Sequence, residues 1–205
     1  MLALFRNRSL VLLTLSYGAL GYMQYMFFYW VEYYFTTELK LPAEQSRQAA
    51  FVVMIAMAAG MAAGGWASDR LCRWLGHGRG CRVMALLGMG LCALFGLVGT
   101  ATKEPHEVVV CFSLAMGALG LCEGIFWTTA PALEPRNGGL ACAVVNTGGN
   151  GVGMLAPFFT PLIGQAYGWN TAVIVACAVC GGGALLWLCI QSPAPAQRAS
   201  PQEGL

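Results

Sequence analysis

Charge is scarce in this sequence. Asp, Glu, Lys and Arg make up 10% of its 205 residues, where a soluble domain averages about 25%. So few charges cannot clothe a globular surface in water, and with 58% hydrophobic residues the chain belongs in a bilayer. The net charge is only +2, and the arginines are scattered over connecting segments instead of forming a stripe, so no nucleic-acid partner is expected. Histidine is nearly absent. His77 and His106 both fall between apolar runs, away from Ser or Cys in the core, which leaves a hydrolytic enzyme without its usual base. A ring of like charges or a filter-like carbonyl loop, the marks of a channel, is also missing.

Cysteine is plentiful at nine residues, but most lie inside apolar runs and no zinc-type pairing of motifs stands out. Cys177 and Cys180 form a CxxC with no His or second pair to complete a site; they read as small hydrophobic packing residues. Neither a metal nor an organic cofactor is expected. Arg6 and Arg8 precede an apolar run of about 26 residues, longer than the roughly 7–15 of a signal-peptide core, so this run is expected to be a first spanning helix.

Six apolar segments follow one another, at about residues 10 to 35, 48 to 67, 83 to 101, 108 to 133, 138 to 164 and 169 to 190. Each reaches or approaches the roughly 20 residues that cross a hydrocarbon core of about 30 Å. The short alternating strands of a barrel are absent, and a helix satisfies its own backbone in lipid. The expected fold is therefore an all-α polytopic bundle of six transmembrane helices over residues 10–190. It follows a cytoplasmic segment at 1–9 and precedes a tail at 191–205 whose Pro, Ala, Ser and Gln predict disorder. With the N-terminus inside, the basic residues divide eight to three: Arg6, Arg8, Arg70, Arg73, Arg79, Arg82, Arg136 and Arg198 against Lys40, Arg47 and Lys103. That asymmetry places both termini in the cytoplasm.

Polar groups inside such segments are costly and mark functional positions. Glu123 is the one carboxylate central to a segment, and it must face a cavity, pair, or hold its proton. Coupling to an ion and a structural hydrogen bond to another helix both remain open for it. Trp127 and Thr128 stand one turn on. In the fifth segment Asn146, Gly149, Asn150, Gly153, Pro157 and Pro161 share a face, where the asparagines suit either a ligand or a neighbouring helix. Asn146, Thr147, Gly148, Gly149 and Asn150 hint at a phosphate loop, but the lysine and strand of a P-loop are missing. The first segment carries a stripe of Tyr17, Gly21, Gln24, Phe28 and Glu32, with Tyr25 and Tyr29 beside it. Part of this stripe suits an interfacial aromatic belt, while Gln24, Tyr25 and Tyr29 are candidates to line a site.

Gly18, Ala19, Leu20 and Gly21 recur as Gly117, Ala118, Leu119 and Gly120, displaced by 99 positions. A repeat of three helices plus three has an odd number in each unit, so the units are inverted, an arrangement common in secondary transporters. The same offset sets Gln24 opposite Glu123 near mid-membrane.

Between the second and third segments, Gly65, Asp69, Arg70 and Arg73 resemble the signature loop of the major facilitator superfamily, commonly written GxxxD(R/K)xGRR. Cys72 stands at the usual glycine and Trp74 at a second basic residue. Glu123 to Thr128, Asn146 to Gly153, Pro157, Pro161, Tyr167 and Trp169 look like the tenth and eleventh helices of that superfamily's anion:cation symporter branch. The first segment, with Tyr25, Trp30 and Tyr34, looks like its seventh. The resemblance runs from about residue 4 to 190 and covers the C-terminal six-helix half of a twelve-helix fold.

The resemblance implies secondary transport of a small organic anion, such as a sugar acid, coupled to a proton or sodium, in a plasma membrane such as the bacterial inner membrane. It assigns substrate contact to Tyr25, Trp127 and Asn146 and gating to Gly65, Asp69, Arg70 and Arg73; Gln24, Tyr29 and Asn150, read from the segments themselves, complete the expected substrate-binding set. Family members usually hold the carboxylate with a basic residue of the first half, whereas here no Lys or Arg lies in a segment core. An N-terminal six-helix half or a second copy is therefore the expected partner, beside the lipid bilayer. The alternative is a truncated six-helix protein that does not transport and serves a packing or regulatory role.

Overall fold

Asn7 opens the first helix by accepting hydrogen bonds from the Ser9 and Leu10 backbone N–H groups at 3.1 and 3.2 Å, which satisfies two of the free donors of a helix start. Its amide also donates to the Leu133 carbonyl at 3.2 Å, tying that start to the far end of a helix over a hundred residues on. The computed structural model describes residues 6–191. The expected disordered tail lies outside the described residues from 192 onward, as do residues 1–5 of the N-terminal segment.

The helices are α1 (Arg8–Thr37), α2 (Ala43–Leu75), α3 (His77–Ala101), α4 (Pro105–Leu133), α5 (Gly138–Gly153), α6 (Ala156–Tyr167) and α7 (Trp169–Leu186), with a short 3₁₀ turn at Pro135–Asn137. No strand occurs among the described residues. Five helices, α1 to α4 and α7, are long and apolar enough to cross a membrane. The fifth expected segment takes a different form, as the two shorter helices α5 and α6.

The interruption has a local cause. The Leu155 N–H bonds back three residues, to the Val152 carbonyl at 3.0 Å, and Pro157 has no N–H to offer the Gly153 carbonyl. Both changes remove rungs from the helical ladder. The backbone stays in the right-handed helical region through Met154 and Leu155, so the chain keeps its heading while its hydrogen bonding is broken.

The second and third segments also depart from expectation. Gly65, Asp69, Arg70 and Arg73 were expected in a loop, but all four lie inside α2, which ends only at Leu75. No residue between Gly65 and Leu75 forbids a helix. The break comes at Gly76, whose φ of 80° suits glycine and strains other residues. At 33 residues α2 is about 50 Å long, well beyond a hydrocarbon core of about 30 Å, and the contacts of Gly60 with Gly117 and of Gly64 with Leu121 set its charged last turns level with the last turns of α4.

Glycine sets the helix spacing. A Cβ on Gly60 would strike the Gly117 carbonyl, one on Gly64 the Leu121 carbonyl, and one on Gly120 the Met57 carbonyl. α2 and α4 thus touch backbone to backbone, the close approach that small residues permit in membranes. The α1–α5 seam is similar, with the Gly149 carbonyl 3.0 Å from a Cβ built on Gly21. α3 packs on α4 and α7, and α7 on α1. There the buried Trp187 donates to Ser16 Oγ at 3.0 Å, and Ser16 donates to the Gly183 carbonyl at 2.8 Å.

Candidate functional site

α1, α4 and α5 bring their polar groups to one face of the bundle. Tyr17 stands nine residues into α1 and Glu123 ten residues before the end of α4, so at 1.5 Å per residue both lie about 14–15 Å from the same end of the bundle. The Tyr17 hydroxyl donates to Glu123 Oε1 at 2.7 Å. Glu123 Oε2 is buried without a hydrogen bond, with the Trp127 side chain the other polar group beside this carboxyl, in a setting where a lone carboxylate oxygen is costly.

The Tyr17 ring is held by its neighbours. Phe126 packs against it at 5.0 Å between centroids and Trp127 edge-on at 5.5 Å. Gly149 lies on its other side, where any side chain would run into the ring. Trp127 is 38% exposed, so one part of the indole braces Tyr17 and the rest is free to stack on a ligand.

A second polar chain runs between α1 and α5. The Tyr25 hydroxyl donates to Asn150 Oδ1 at 2.6 Å. The Asn150 amide donates in turn to the Asn146 carbonyl at 2.9 Å and to Asn146 Oδ1 at 2.7 Å. The Tyr25 ring lies on Gly153, whose missing side chain makes room for it. Asn146 itself is exposed. This chain ends four residues before the α5–α6 interruption, so the asparagines and the loosened backbone occupy one stretch of the wall.

The remaining candidates distribute around this core. Tyr29 is 64% exposed and touches Tyr25 edge-on at 6.1 Å, extending the aromatic wall toward the C-terminal end of α1. Gln24 turns the other way: its amide reaches Met57 Sδ on α2 at 3.8 Å. The expected opposition of Gln24 and Glu123 is therefore replaced by the direct pair of Tyr17 and Glu123, with Gln24 two turns along the same stripe of α1. Asp69, Arg70 and Arg73 are exposed at the end of α2, and the Arg70 guanidinium lies 4.7 Å from the centre of the Trp74 ring. Among the described residues, none of them makes a side-chain hydrogen bond or ion pair with Tyr17, Glu123, Trp127, Asn146 or Asn150.

Tyr17 is the residue that sequence reasoning left out of the site. It sits in the same helical stripe as Gln24, but an aromatic in an apolar helix resembles packing until its hydroxyl is seen to meet a carboxylate. No Lys or Arg side chain lies beside Glu123, Trp127, Asn146 or Asn150 among the described contacts. The face therefore offers a carboxyl, a phenol, two amides and an indole, and on its own a substrate carboxylate would find only neutral donors.

A comparison with curated proteins gives no match. Residues 13–205 match the family model described as Major Facilitator Superfamily.

Proposed function

The chain belongs to the Major Facilitator Superfamily and is an integral membrane protein, and from that premise we propose that it carries a small organic anion, a sugar acid or related carboxylate, by ion-coupled alternating access. In this reading it supplies the C-terminal six-helix half, with α5 and α6 together acting as one discontinuous span. Its place is a plasma membrane of the bacterial inner-membrane type, with both ends in the cytoplasm. The single observation that carries the proposal is the Tyr17–Glu123 hydrogen bond with Glu123 Oε2 left open. A carboxyl inside a membrane-spanning helix that is bonded on one oxygen and free on the other can take and release a proton or a sodium ion.

The packing supports two inverted repeats, α1–α3 and α4–α7. α1 lies along α5 as α4 lies along α2, and α1 meets α7 as α4 meets α3. The matching glycines serve matching seams, Gly21 at α1–α5 and Gly120 at α4–α2. Rocking of such units about a mid-membrane site is the usual route to alternating access. Asp69, Arg70 and Arg73, in the last turns of α2, then act in gating and not in binding.

Because the face lacks a cation, substrate binding needs a positive group from an N-terminal half or from a second copy. Uptake of labelled hexuronate, aldonate and aldarate into proteoliposomes tests this reading, with the chain alone and with a co-reconstituted N-terminal six-helix half. Uptake that requires the second component supports it. No uptake of any of the three under either condition overturns it in favour of a non-transporting bundle with a packing or regulatory role.

A further inference from the structure

The ends of α2 and α3 meet across the single residue Gly76. The reversal is tight enough that a Cβ on Gly80 would lie 2.7 Å from the Cys72 Cα. Three soft donors converge at this corner. Cys72 Sγ is 3.8 Å from Cys81 Sγ, and Cys81 Sγ is 3.9 Å from each ring nitrogen of His77. One donor atom from each residue lies within 4.8 Å of the others. His77 and Cys81 share a face because they are four residues apart in the first turn of α3, and Cys72 reaches them from the last turns of α2.

We propose that Cys72, His77 and Cys81 form a binding site for a thiophilic divalent cation of the Zn²⁺ type at the cytoplasmic end of the bundle. A tetrahedral ion with Zn–S of about 2.3 Å and Zn–N of about 2.0–2.1 Å holds two sulfurs about 3.8 Å apart and a sulfur and a nitrogen about 3.6 Å apart. The sulfur pair already has that separation; Cys81 Sγ lies 3.9 Å from both His77 ring nitrogens, so the exposed imidazole must turn to aim one nitrogen into the site. Two thiolates and an imidazole leave the fourth position for water at this open corner. Binding forms two metal–sulfur bonds and one metal–nitrogen bond, and releases the two thiol protons to solvent. The two thiolate charges balance the ion.

The position of the site matters for the molecule. Cys72 follows Asp69 and Arg70 and precedes Arg73 on the same helix, so an occupied site would fasten the charged end of α2 to the start of α3 and remove the freedom of Gly76. This inference stands on the corner's geometry and does not depend on what the Glu123 face carries.

The test uses the purified full chain in detergent with a phosphine reductant, titrated with Co²⁺ and then Zn²⁺. The expected result is one equivalent of Co²⁺ with a near-ultraviolet thiolate charge-transfer band that Zn²⁺ displaces. Cys72→Ser and Cys81→Ser should each abolish the band and weaken binding by about 100-fold or more. His77→Ala, at an exposed side chain, should weaken it by at least about 10-fold, more than the loss of an outer-shell partner at the low end of its range, and Cys111→Ser should leave it unchanged. No band in the unaltered chain would overturn the site. So would an equal band in Cys72→Ser or His77→Ala, which would put the ion on other cysteines, or a Cys72–Cys81 disulfide that persists under the reductant.

Discussion

The Tyr17 hydroxyl and Glu123 Oε1 are 2.7 Å apart, and this one bond links α1 to α4 about a third of the way along both helices. A structural tie and a coupling group make different demands on it. A tie needs only the hydrogen bond, whereas coupling also needs the exchangeable carboxyl and its free second oxygen.

Glu123→Gln separates the two. The amide keeps the size of the side chain and can accept from Tyr17, so stability should change by no more than about 1 kcal/mol, the scale of interhelical hydrogen bonds in membranes. Ion-driven accumulation should fall to background. Unfolding in denaturing detergent measures the first and gradient-driven uptake the second.

Tyr17→Phe removes the hydroxyl and leaves Glu123 with two free oxygens. The loss should amount to about 1 kcal/mol, and the double variant with Glu123→Met, which removes the acceptor, should be less destabilised than the sum of the singles. A double-mutant cycle on unfolding midpoints reads this coupling.

Close helix contact gives a contrast among glycines. Gly60→Ala must displace the α4 backbone at the Gly117 carbonyl, a movement expected to cost about 1–3 kcal/mol or more. Gly90→Ala meets nothing within 4 Å and should be neutral or slightly stabilising through helix propensity. Thermal unfolding of the two variants side by side checks the assignment of the α2–α4 seam.

On the substrate side, Tyr25→Phe breaks the chain to Asn150 and Asn146. Loss of one donor and disorder of two amides should raise the KM for the transported anion by about 10-fold, equivalent to about 1.4 kcal/mol, with the maximal rate changed less. Asp69→Asn, which has no hydrogen bond to this face, should do the reverse and lower the rate at nearly constant KM. Initial-rate uptake at varied substrate concentration distinguishes them.

Much of this architecture was legible in the sequence, because lipid imposes strong rules on length and polarity. α1, α3, α4 and α7 follow directly from apolar runs long enough to span. The end of α2 was harder to read. Asp69, Arg70 and Arg73 look like loop residues by charge, but charge does not stop a helix, and only Gly76 does. The split of α5 from α6 needed the combined effect of Gly153, Pro157 and a three-residue hydrogen bond at Val152, which composition suggests without locating. Glu123, Trp127, Asn146 and Asn150 were found as polar residues in apolar surroundings. Tyr17 was not, since its role depends on a partner 106 positions away. The Cys72, His77 and Cys81 cluster escaped because its spacing becomes metal-like only when a one-residue turn folds the two helix ends together.

The most direct measurement of the central claim is uptake of a labelled sugar acid by proteoliposomes that hold the chain with an N-terminal half-bundle, under an imposed proton or sodium gradient. The unaltered chain should accumulate the anion above equilibrium and Glu123→Gln should not, although it folds and inserts equally well. Accumulation by Glu123→Gln equal to that of the unaltered chain would contradict the role of the Tyr17–Glu123 pair.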